Sequence, residues 1–443
     1  MAVLTLEPAL PRNQQSQRAG LTGCLCLLLL VMISSSSLVA HRNLDTATPL
    51  DAVTVAVGPG GALVEVAAAD ALIPGSRVLA GMPDSLGLAR EQAAWLAAGT
   101  VPQVSGLDSD MVATALLDLH VLNRPYGVPV AGWSGPWRYV WPRDSALVAS
   151  ALARTGHTAD AERIVDFLQR VQPESGLFQA RYLPDGSGVP DARGVELDGL
   201  GWALWAMGQL AAELPKKERT ALAQRYRRLL DQSTKAVLAL IDNPTSLPPP
   251  SSDYWEVKET KPTLATAAVL CAGLENAAEL YRILGEVGAS DDAVAGAHRL
   301  RVAIKSTFGK NGYPRHLGGR GDSIDLGVDF LLPPVGSSVD REVVHVWQQA
   351  PWVMSRQGGG LAPGGSWRRD GVSWTNVTAS RAMTAAFLGH RDVALAWLHW
   401  LDQHRTAAGS LSEKVLPDGQ PAAVSPLAWT AAAVVITAGQ LSS

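Results

Sequence analysis

The sequence predicts an all-α protein, an (α/α)6 barrel of about twelve helices that follows a short β-containing or irregular arm. From about residue 84 onward, apolar residues recur at three- and four-residue spacing, which is typical of helices that bury one face. Glycine and proline residues mark plausible boundaries between these segments. The candidate helices are 86–98, an extra amino-terminal one, and then 108–122, 143–156, 158–172, 196–213, 217–242, 262–286, 289–307, 323–332, 338–355, 375–389, 391–406 and 426–440.

Helices that are apolar on all sides alternate with helices that carry charges on one side. Val148–Ala153, Ala265–Cys271 and Ala428–Thr437 belong to the first kind, which is typical of buried helices. Residues 158–172 and 217–230 carry charged side chains on one side, as an outer layer should. Counted from 108–122, the helices therefore form outer–inner pairs, and the inner helices line a funnel with their amino termini.

The first 40 residues have the layout of an export signal. Arg12 and Arg18 precede an apolar run from Leu21 to Ile33, and small residues follow up to Ala40. The run is short for a transmembrane helix, which needs about 20 apolar residues. We predict a signal peptide or an uncleaved membrane anchor over 1–40, and hence an exported protein that is secreted or anchored facing outside.

The rest of the chain divides into an arm over 41–84 and a barrel domain over 85–443. Within the arm, Val53–Val57 alternates in the manner of a β-strand. Composition describes a well-cored globular protein: 47% of the 443 residues are hydrophobic and 18% are charged. A formal net charge of −4 without a basic block argues against nucleic acid as a partner.

No metal or organic cofactor is expected, because the sequence contains neither a glycine-rich phosphate loop nor a clustered Cys/His pattern. Of the three cysteines, only Cys271 lies beyond the export segment. It falls within a predicted apolar helix, so we expect a buried, unreactive thiol.

Three short motifs carry the chemistry: Trp141-Pro142-Arg143-Asp144, Asp253–Glu256 and Gly409–Glu413. Cleavage of an acetal between two sugars needs one carboxylic acid to protonate the leaving oxygen and one carboxylate to activate water. Glu256 and Glu413 are the candidates for these roles. The first motif offers a sugar ring an indole plane, a forked donor and an acceptor. Together the motifs suggest a glycoside hydrolase.

The position of the motifs among the helices supports a shared site. All three follow an odd-numbered helix and precede or open an even-numbered one, counted from 108–122. In a ring of antiparallel helix pairs, every odd-to-even connection emerges at the same end. We therefore expect the motifs to converge on one mouth of the barrel.

The motif residues resemble those of glycoside hydrolase family 15, the glucoamylase-like enzymes, and the bacterial members in particular. The resemblance runs from about residue 85 to 440 and is carried by Trp141–Ser145, Tyr254–Val257, Leu411–Glu413 and Pro426–Thr430. It implies an (α/α)6 fold and inverting, exo-acting hydrolysis of α-glucosidic bonds that releases glucose from non-reducing ends. The implied partner is an oligosaccharide or α-glucan substrate.

The resemblance also implies roles for individual residues. Glu256 is the general acid and Glu413 the general base, while Arg143 and Asp144 bind the hydroxyls of the terminal glucose. The remaining substrate-binding candidates are Trp141, Asp198, Trp255, Arg368, Trp374 and Trp429. Two structural alternatives stand beside these roles: Asp144 as the cap of its helix, and Trp141 as a core residue.

Two loops depart from the family pattern. In Asp191–Asp198 the aspartate Asp198 is retained, but Ala192 stands where fungal members have an aromatic residue. About twelve residues before Trp374, Ala362-Pro363 replaces an Arg-Tyr pair, and Arg368 and Arg369 lie nearby as substitutes. These changes leave the linkage open among α-1,4-, α-1,6- and trehalose-type bonds.

The two carboxyls are expected to differ in surroundings. A general acid needs its proton at the working pH, and we expect Tyr254 and Trp255 to provide Glu256 with an apolar wall that raises its pKa. Glu413 is expected to stay ionised in the polar company of Ser410 and Ser412. For an inverting enzyme, the two carboxyls should lie roughly 6.5–9.5 Å apart.

Two other functions are compatible with the same fold. A non-catalytic or weakly active carbohydrate-binding envelope protein would retain the barrel and lose efficient hydrolysis. A phosphorolytic enzyme would need a phosphate pocket in place of the general base, and Glu413 argues against it.

Overall fold

Helices dominate the computed structural model, which describes residues 52–67, 69–317 and 323–442. The predicted signal peptide or anchor and the first part of the arm lie outside these residues. The α-helices are α1 Ser85–Ala98, α2 Met111–Asn123, α3 Pro142–Arg154, α4 Thr158–Val171, α5 Asp198–Glu213, α6 Lys216–Arg225, α7 Arg227–Leu240, α8 Leu264–Leu284, α9 Val287–Thr307, α10 Arg341–Met354, α11 Thr375–Phe387, α12 Arg391–Gln403 and α13 Ala428–Ser442. Shorter 3-10 helices span Pro59–Gly61, Ala69–Ala71, Gly135–Trp137, Gly309–Asn311 and Leu326–Leu331.

The inner ring closes through consecutive contacts between buried helices. α3 packs on α5, α5 on α8, α8 on the Leu326–Leu331 3-10 helix, that helix on α11, α11 on α13, and α13 back on α3. The outer positions are taken by α2, α4, the α6–α7 pair, α9, α10 and α12. The predicted (α/α)6 barrel and its alternation of inner and outer helices are confirmed.

Close helix packing in the ring depends on small residues. At the crossing of α5 and α8, a Cβ on Gly201 would lie 2.2 Å from the carbonyl oxygen of Val269. A Cβ on Gly273 would lie 2.6 Å from the Cα of Gly201. Any side chain at either glycine therefore pushes the two inner helices apart.

Two predicted helices differ from the structure. The segment 217–242 is two helices, because the chain leaves helical geometry at Tyr226, with φ −100° and ψ 22°. The Tyr226 ring is buried, and its hydroxyl donates to the Glu162 carbonyl at 2.9 Å. The segment 323–332 is only the Leu326–Leu331 3-10 helix, since Pro333 and Pro334 follow it and a helix cannot continue into that pair.

The amino-terminal arm forms a hairpin, as the alternation at Val53–Val57 predicted. Strand β1 (Thr54–Val57) pairs antiparallel with β2 (Leu63–Val66). Further along the arm, Arg77 donates from Nε to Asp118 Oδ1 of α2 at 2.6 Å and from Nη1 to the Ala408 carbonyl at 2.7 Å. The Arg77 side chain thus ties the arm both to the barrel and to the loop that leads to Glu413.

A second, short sheet holds that loop against the barrel. Strand β4 (Lys414–Val415) lies between β3 (Ser373–Trp374) and β5 (Pro421–Ala422), and both pairings are antiparallel. No helix in the described ranges is long and apolar enough to cross a membrane. Cys271 is buried with a free thiol, as predicted, and burial raises the pKa of that thiol.

Candidate active site

A cavity of about 240 Å³ lies where the odd-to-even connections meet, and all three motifs reach it. The expectation that they converge on one mouth is therefore met. The predicted site residues in its lining are Trp141, Arg143, Asp144, Trp255, Glu256, Trp374, Glu413 and Trp429. The lining also contains polar and aromatic residues that were not predicted, notably Trp137, Arg181, Arg193, Trp367, Asn376 and Lys414.

The Arg143 side chain lines the cavity and is held in place by two buried acidic residues. It lies in the first turn of α3, and its Nη1 donates to Asp198 Oδ2 at 3.0 Å and to Glu196 Oε2 at 3.4 Å. Asp198 is buried outside the cavity lining and also accepts from Trp202 Nε1 at 3.2 Å. Asp198 therefore positions Arg143 without lining the cavity itself. Burial raises the pKa of Glu196 to about 8.

Asp144 faces the cavity from the same turn and is not a helix cap. Helix α3 has no side-chain capping hydrogen bond, and Trp141 occupies the N-cap position before Pro142. Burial raises the pKa of Asp144 to about 7, against the lowering effect of the Arg143 charge. This carboxyl can therefore act as a hydrogen-bond donor or acceptor toward a ligand near neutral pH.

Glu256 is presented by a tight turn with unusual backbone geometry. Its φ is 53°, in the left-handed region that side chains other than glycine rarely adopt. The turn is closed by two bonds to Asp253: Glu256 N donates to its carbonyl at 2.7 Å, and Trp255 N donates to its Oδ1 at 3.0 Å. The surrounding contacts hold Glu256 in this conformation, which is typical of residues at functional sites.

A buried arginine anchors this turn. Arg315 is 1% exposed and donates to Asp253 Oδ1 at 2.7 Å, to Glu259 Oε1 at 2.6 Å and to Asp325 Oδ2 at 2.9 Å. The Tyr254 hydroxyl lies 2.8 Å from the same Asp325 oxygen. Sequence reasoning missed Arg315, because nothing in its local sequence sets it apart from a surface arginine.

The surroundings of Glu256 differ from the expected apolar wall. Its carboxyl contacts the Arg193 guanidinium at one oxygen and lies 3.7 Å from Arg143 Nη2 at the other. The Glu256 side chain is 32% exposed. Tyr254 and Trp255 do line the cavity, but cations rather than aromatic rings make the polar contacts of this carboxyl.

Glu413 ends the Gly409–Glu413 motif, directly before β4, and its side chain is buried. Its main chain is fixed on both sides, since Glu413 N donates to the Val424 carbonyl at 2.9 Å and Thr375 N donates to the Glu413 carbonyl at 3.0 Å. Trp137 Nε1 lies 3.3 Å from Oε1, and Lys414 Nζ lies 3.2 Å from Oε2.

The polar groups that contact the Glu413 carboxylate also differ from those that we expected. The Ser410 hydroxyl contacts Thr54 and Arg77, and the Ser412 hydroxyl donates to the Lys414 carbonyl at 2.8 Å, so neither serine touches the carboxylate. Burial raises the pKa of Glu413, while the charge of Lys414 and the bond from Trp137 lower it. The polar contacts of this carboxylate therefore come from Lys414 and Trp137 and not from the two serines.

Aromatic rings form one wall of the cavity. Trp255 meets Trp367 edge-to-face at 4.7 Å, and Trp367 meets Trp374 in the same way at 5.5 Å. Trp429 also lines the cavity and donates from Nε1 to Ser380 Oγ at 2.9 Å. Such faces suit the apolar surface of a sugar ring.

Arg368 lies outside the cavity lining, contrary to expectation. Its side chain is exposed, with its guanidinium 5.8 Å from the centre of the Trp367 ring. Besides the predicted Arg143, the cations in the cavity lining come from other segments: Arg181, Arg193 and Lys414. No cluster of three or more potential metal ligands occurs in the part of the chain that the structure describes.

Comparison with solved structures places the fold. A wild-type glycosidase superposes with a TM-score of 0.65 at 21% identity, over 76% of this chain and 99% of that one. A bacterial glucoamylase complexed with acarbose gives 0.65 at 18% identity, over 79% of this chain and 57% of that one. The glucoamylase from Saccharomycopsis fibuligera gives 0.56 at 13% identity, over 71% and 89%. No family model and no curated relative matches the sequence. The chain therefore has the (α/α)6 fold of the glucoamylase-like glycosidases.

Proposed function

We propose that the protein is an exported, inverting glycoside hydrolase of glycoside hydrolase family 15 that releases glucose from the non-reducing ends of α-glucosides. The observation that carries this proposal is the placement of two carboxyls, Glu256 and Glu413, in one cavity beside Arg143 and Asp144. The two carboxyls are close enough for the charge of Glu256 to contribute to the raised pKa of Glu413.

In the proposed reaction, Glu256 donates a proton to the glycosidic oxygen as the bond from that oxygen to the glucose C1 breaks. Glu413 takes a proton from the attacking water, whose oxygen forms the new bond to C1 from the opposite face. Lys414 and Trp137 favour the ionised form of Glu413 that this step needs. Arg143 and Asp144 bind the hydroxyls of the terminal glucose, the one that water attacks at C1.

Two comparisons support the assignment. One of the similar solved structures is a glycosidase variant in complex with glucose, and another is the glucoamylase complex with acarbose. Two of the glycosidase variants replace a glutamate by alanine. Those two glutamates are separated by the same number of residues as Glu256 and Glu413 are here.

The size of the cavity favours small substrates over long glucans. Pockets for drug-sized ligands typically enclose about 300–1,000 Å³. The cavity of about 240 Å³ lies below that range. We therefore propose a disaccharide or a glucoside with a small leaving group as the preferred substrate.

One observation favours the second candidate, a carbohydrate-binding protein with little hydrolysis. Arg193 occupies one oxygen of Glu256, so this carboxyl must break an ion pair before it can donate a proton. A protein that retains the ion pair throughout would bind sugar without cleaving it.

The decisive experiment is incubation with maltose, isomaltose, trehalose and starch, followed by proton NMR of the anomers. The proposal expects glucose whose first-formed anomer is β, and expects Glu256→Gln to abolish release. Glu174→Gln, an exposed carboxylate outside the cavity, is the matched control. Sugar binding without glucose release by the unaltered protein would favour the carbohydrate-binding alternative.

A further inference from the structure

Arg193 stands out among the cavity residues because the proposed reaction assigns it no task. It lines the cavity, and its side chain is 36% exposed. It makes ion pairs with Glu256 and, at 3.5 Å, with Asp191 Oδ2. It lies in the loop where Ala192 replaces the aromatic residue of the related fungal enzymes.

The other charges around Arg193 are already engaged. Asp191 also pairs with Arg181, whose Nη1 donates to the Pro136 carbonyl at 2.7 Å. Two guanidinium groups therefore share the single charge of Asp191. Glu256 is the main counter-charge of Arg193, and Arg143 has its own partners in Asp198 and Glu196.

Proton donation by Glu256 changes this balance. To act as the acid, Glu256 must be neutral and must turn one oxygen toward the leaving group, so Arg193 loses its closest anion. An exposed guanidinium then stands beside the bond that breaks. A partly desolvated cation in that position favours an anion among its contacts.

We propose that the leaving group of the natural substrate carries an anionic group, a carboxylate or a phosphate, which pairs with Arg193. Arg193 touches the carboxyl that serves the glycosidic oxygen, so the anion must lie within one or two carbons of that oxygen. The substrate class is thus the α-glucosides of small hydroxy acids or of short hydroxyalkyl phosphates. This inference rests on the proposed function.

The reaction balances without any further reactant. The bond from C1 to the leaving oxygen breaks, that oxygen takes the proton of Glu256, and water supplies the hydroxyl of β-glucose. The remaining proton of that water goes to Glu413. The hydroxy acid or hydroxyalkyl phosphate leaves with its charge unchanged, and Arg193 returns to Glu256 when that carboxyl is ionised again.

Matched substrates test the proposal directly. The α-glucoside of lactic acid through its 2-hydroxyl is compared with the carboxamide of the same compound, which has nearly the same shape without the charge. The α-glucoside of 2-phosphoethanol is compared with that of ethylene glycol. We expect kcat/KM for at least one anionic member to exceed that of its neutral partner by roughly ten- to a hundredfold, the effect of one charge-assisted hydrogen bond. Which pair shows the larger ratio identifies the anion as carboxylate or phosphate.

The variants then assign the preference to Arg193. Arg193→Gln should bring the anionic-to-neutral ratio close to one, Arg193→Lys should retain part of it, and the exposed Arg369→Gln should leave it unchanged. If the substitution changes the reactivity of Glu256 itself, it changes kcat/KM for the anionic and the neutral substrate by the same factor. That effect therefore cancels from the ratio. Equal rates within both pairs, or a ratio that survives Arg193→Gln, would overturn the inference while leaving the proposed hydrolysis intact. Absence of glucose release from every substrate, neutral ones included, would instead overturn the proposed function.

Discussion

The loops that carry Glu256 and Glu413 hold similar side chains by different means. The Glu256 turn has a left-handed residue at its tip, rests on the buried charges around Arg315, and leaves its side chain 32% exposed between two guanidinium groups. The Glu413 segment leads directly into β4, is bonded through its main chain to Val424 and Thr375, and leaves its side chain 11% exposed beside one ammonium group.

This difference suits the two proposed tasks. An acid must recover a proton after each turnover and contact a leaving group that departs, so an accessible position at the mouth is favourable. A base must hold one water in a fixed place, so a rigid and enclosed position is favourable. The buried Glu413 depends on Lys414 and Trp137 to remain ionised, because burial alone favours its neutral form.

The largest expected effect is a difference between the Glu256 and Glu413 variants in the activity that they retain toward an activated substrate. α-Glucosyl fluoride needs no protonation of its leaving group, so Glu256→Gln should retain most of the activity toward it. Glu413→Gln should lose about 10²–10⁴-fold toward both the fluoride and ordinary glucosides, the usual contribution of a general base. Fluoride release and glucose release are the measurements. Equal loss toward the fluoride in both variants would contradict the division of roles.

The next effect concerns the support of the Glu256 turn. Arg315→Met should lower the free energy of unfolding by about 3–5 kcal/mol, because it leaves Asp253 and Asp325 buried without their cation. Urea denaturation measures it. Arg225→Met is the matched control: Arg225 also pairs with two carboxylates, each at 2.6 Å, but is 47% exposed. Its removal should cost less than about 1 kcal/mol, and a comparable loss in both variants would show that the buried cluster is no special anchor.

The smallest effects concern the ionisation of Glu413. Lys414→Met and Trp137→Phe each remove a group that lowers the pKa of Glu413, so each should raise that pKa further. A protonated base is inactive, so activity on the acid side should disappear at a higher pH than in the unaltered protein. The shift should be larger for Lys414→Met, whose charge is the stronger influence. The pH dependence of kcat/KM measures it, with Trp133→Phe as a control, and a shift to lower pH would contradict the assignment.

Most helix positions could be predicted from periodicity, because apolar spacing depends on local sequence. The segment 323–332 was predicted wrongly because its apolar pattern extends over a stretch too short for an α-helix before Pro333 and Pro334. The shared cavity could be predicted from the order of the helices alone, because every odd-to-even connection emerges at the same end of the barrel.

The surroundings of the two glutamates were out of reach of sequence reasoning. Arg193 and Glu256 are far apart in the chain, as are Trp137 and Glu413, and no local pattern connects either pair. Neighbours in sequence behave differently from one another: Lys414 contacts the Glu413 carboxylate, whereas the hydroxyls of Ser410 and Ser412 bond elsewhere. Side-chain partners in a ring of helices are set by the closure of the ring.

The anchoring of the arm by Arg77 sets a limit on how far this protein can be shortened. A fragment that starts at α1 would contain a complete set of barrel helices and both glutamates. It would also leave the carboxylate of Asp118 enclosed without its cation, and would free the Ala408–Ser410 stretch that leads to Glu413. The smallest piece able to work is therefore expected to include Arg77 together with the barrel helices.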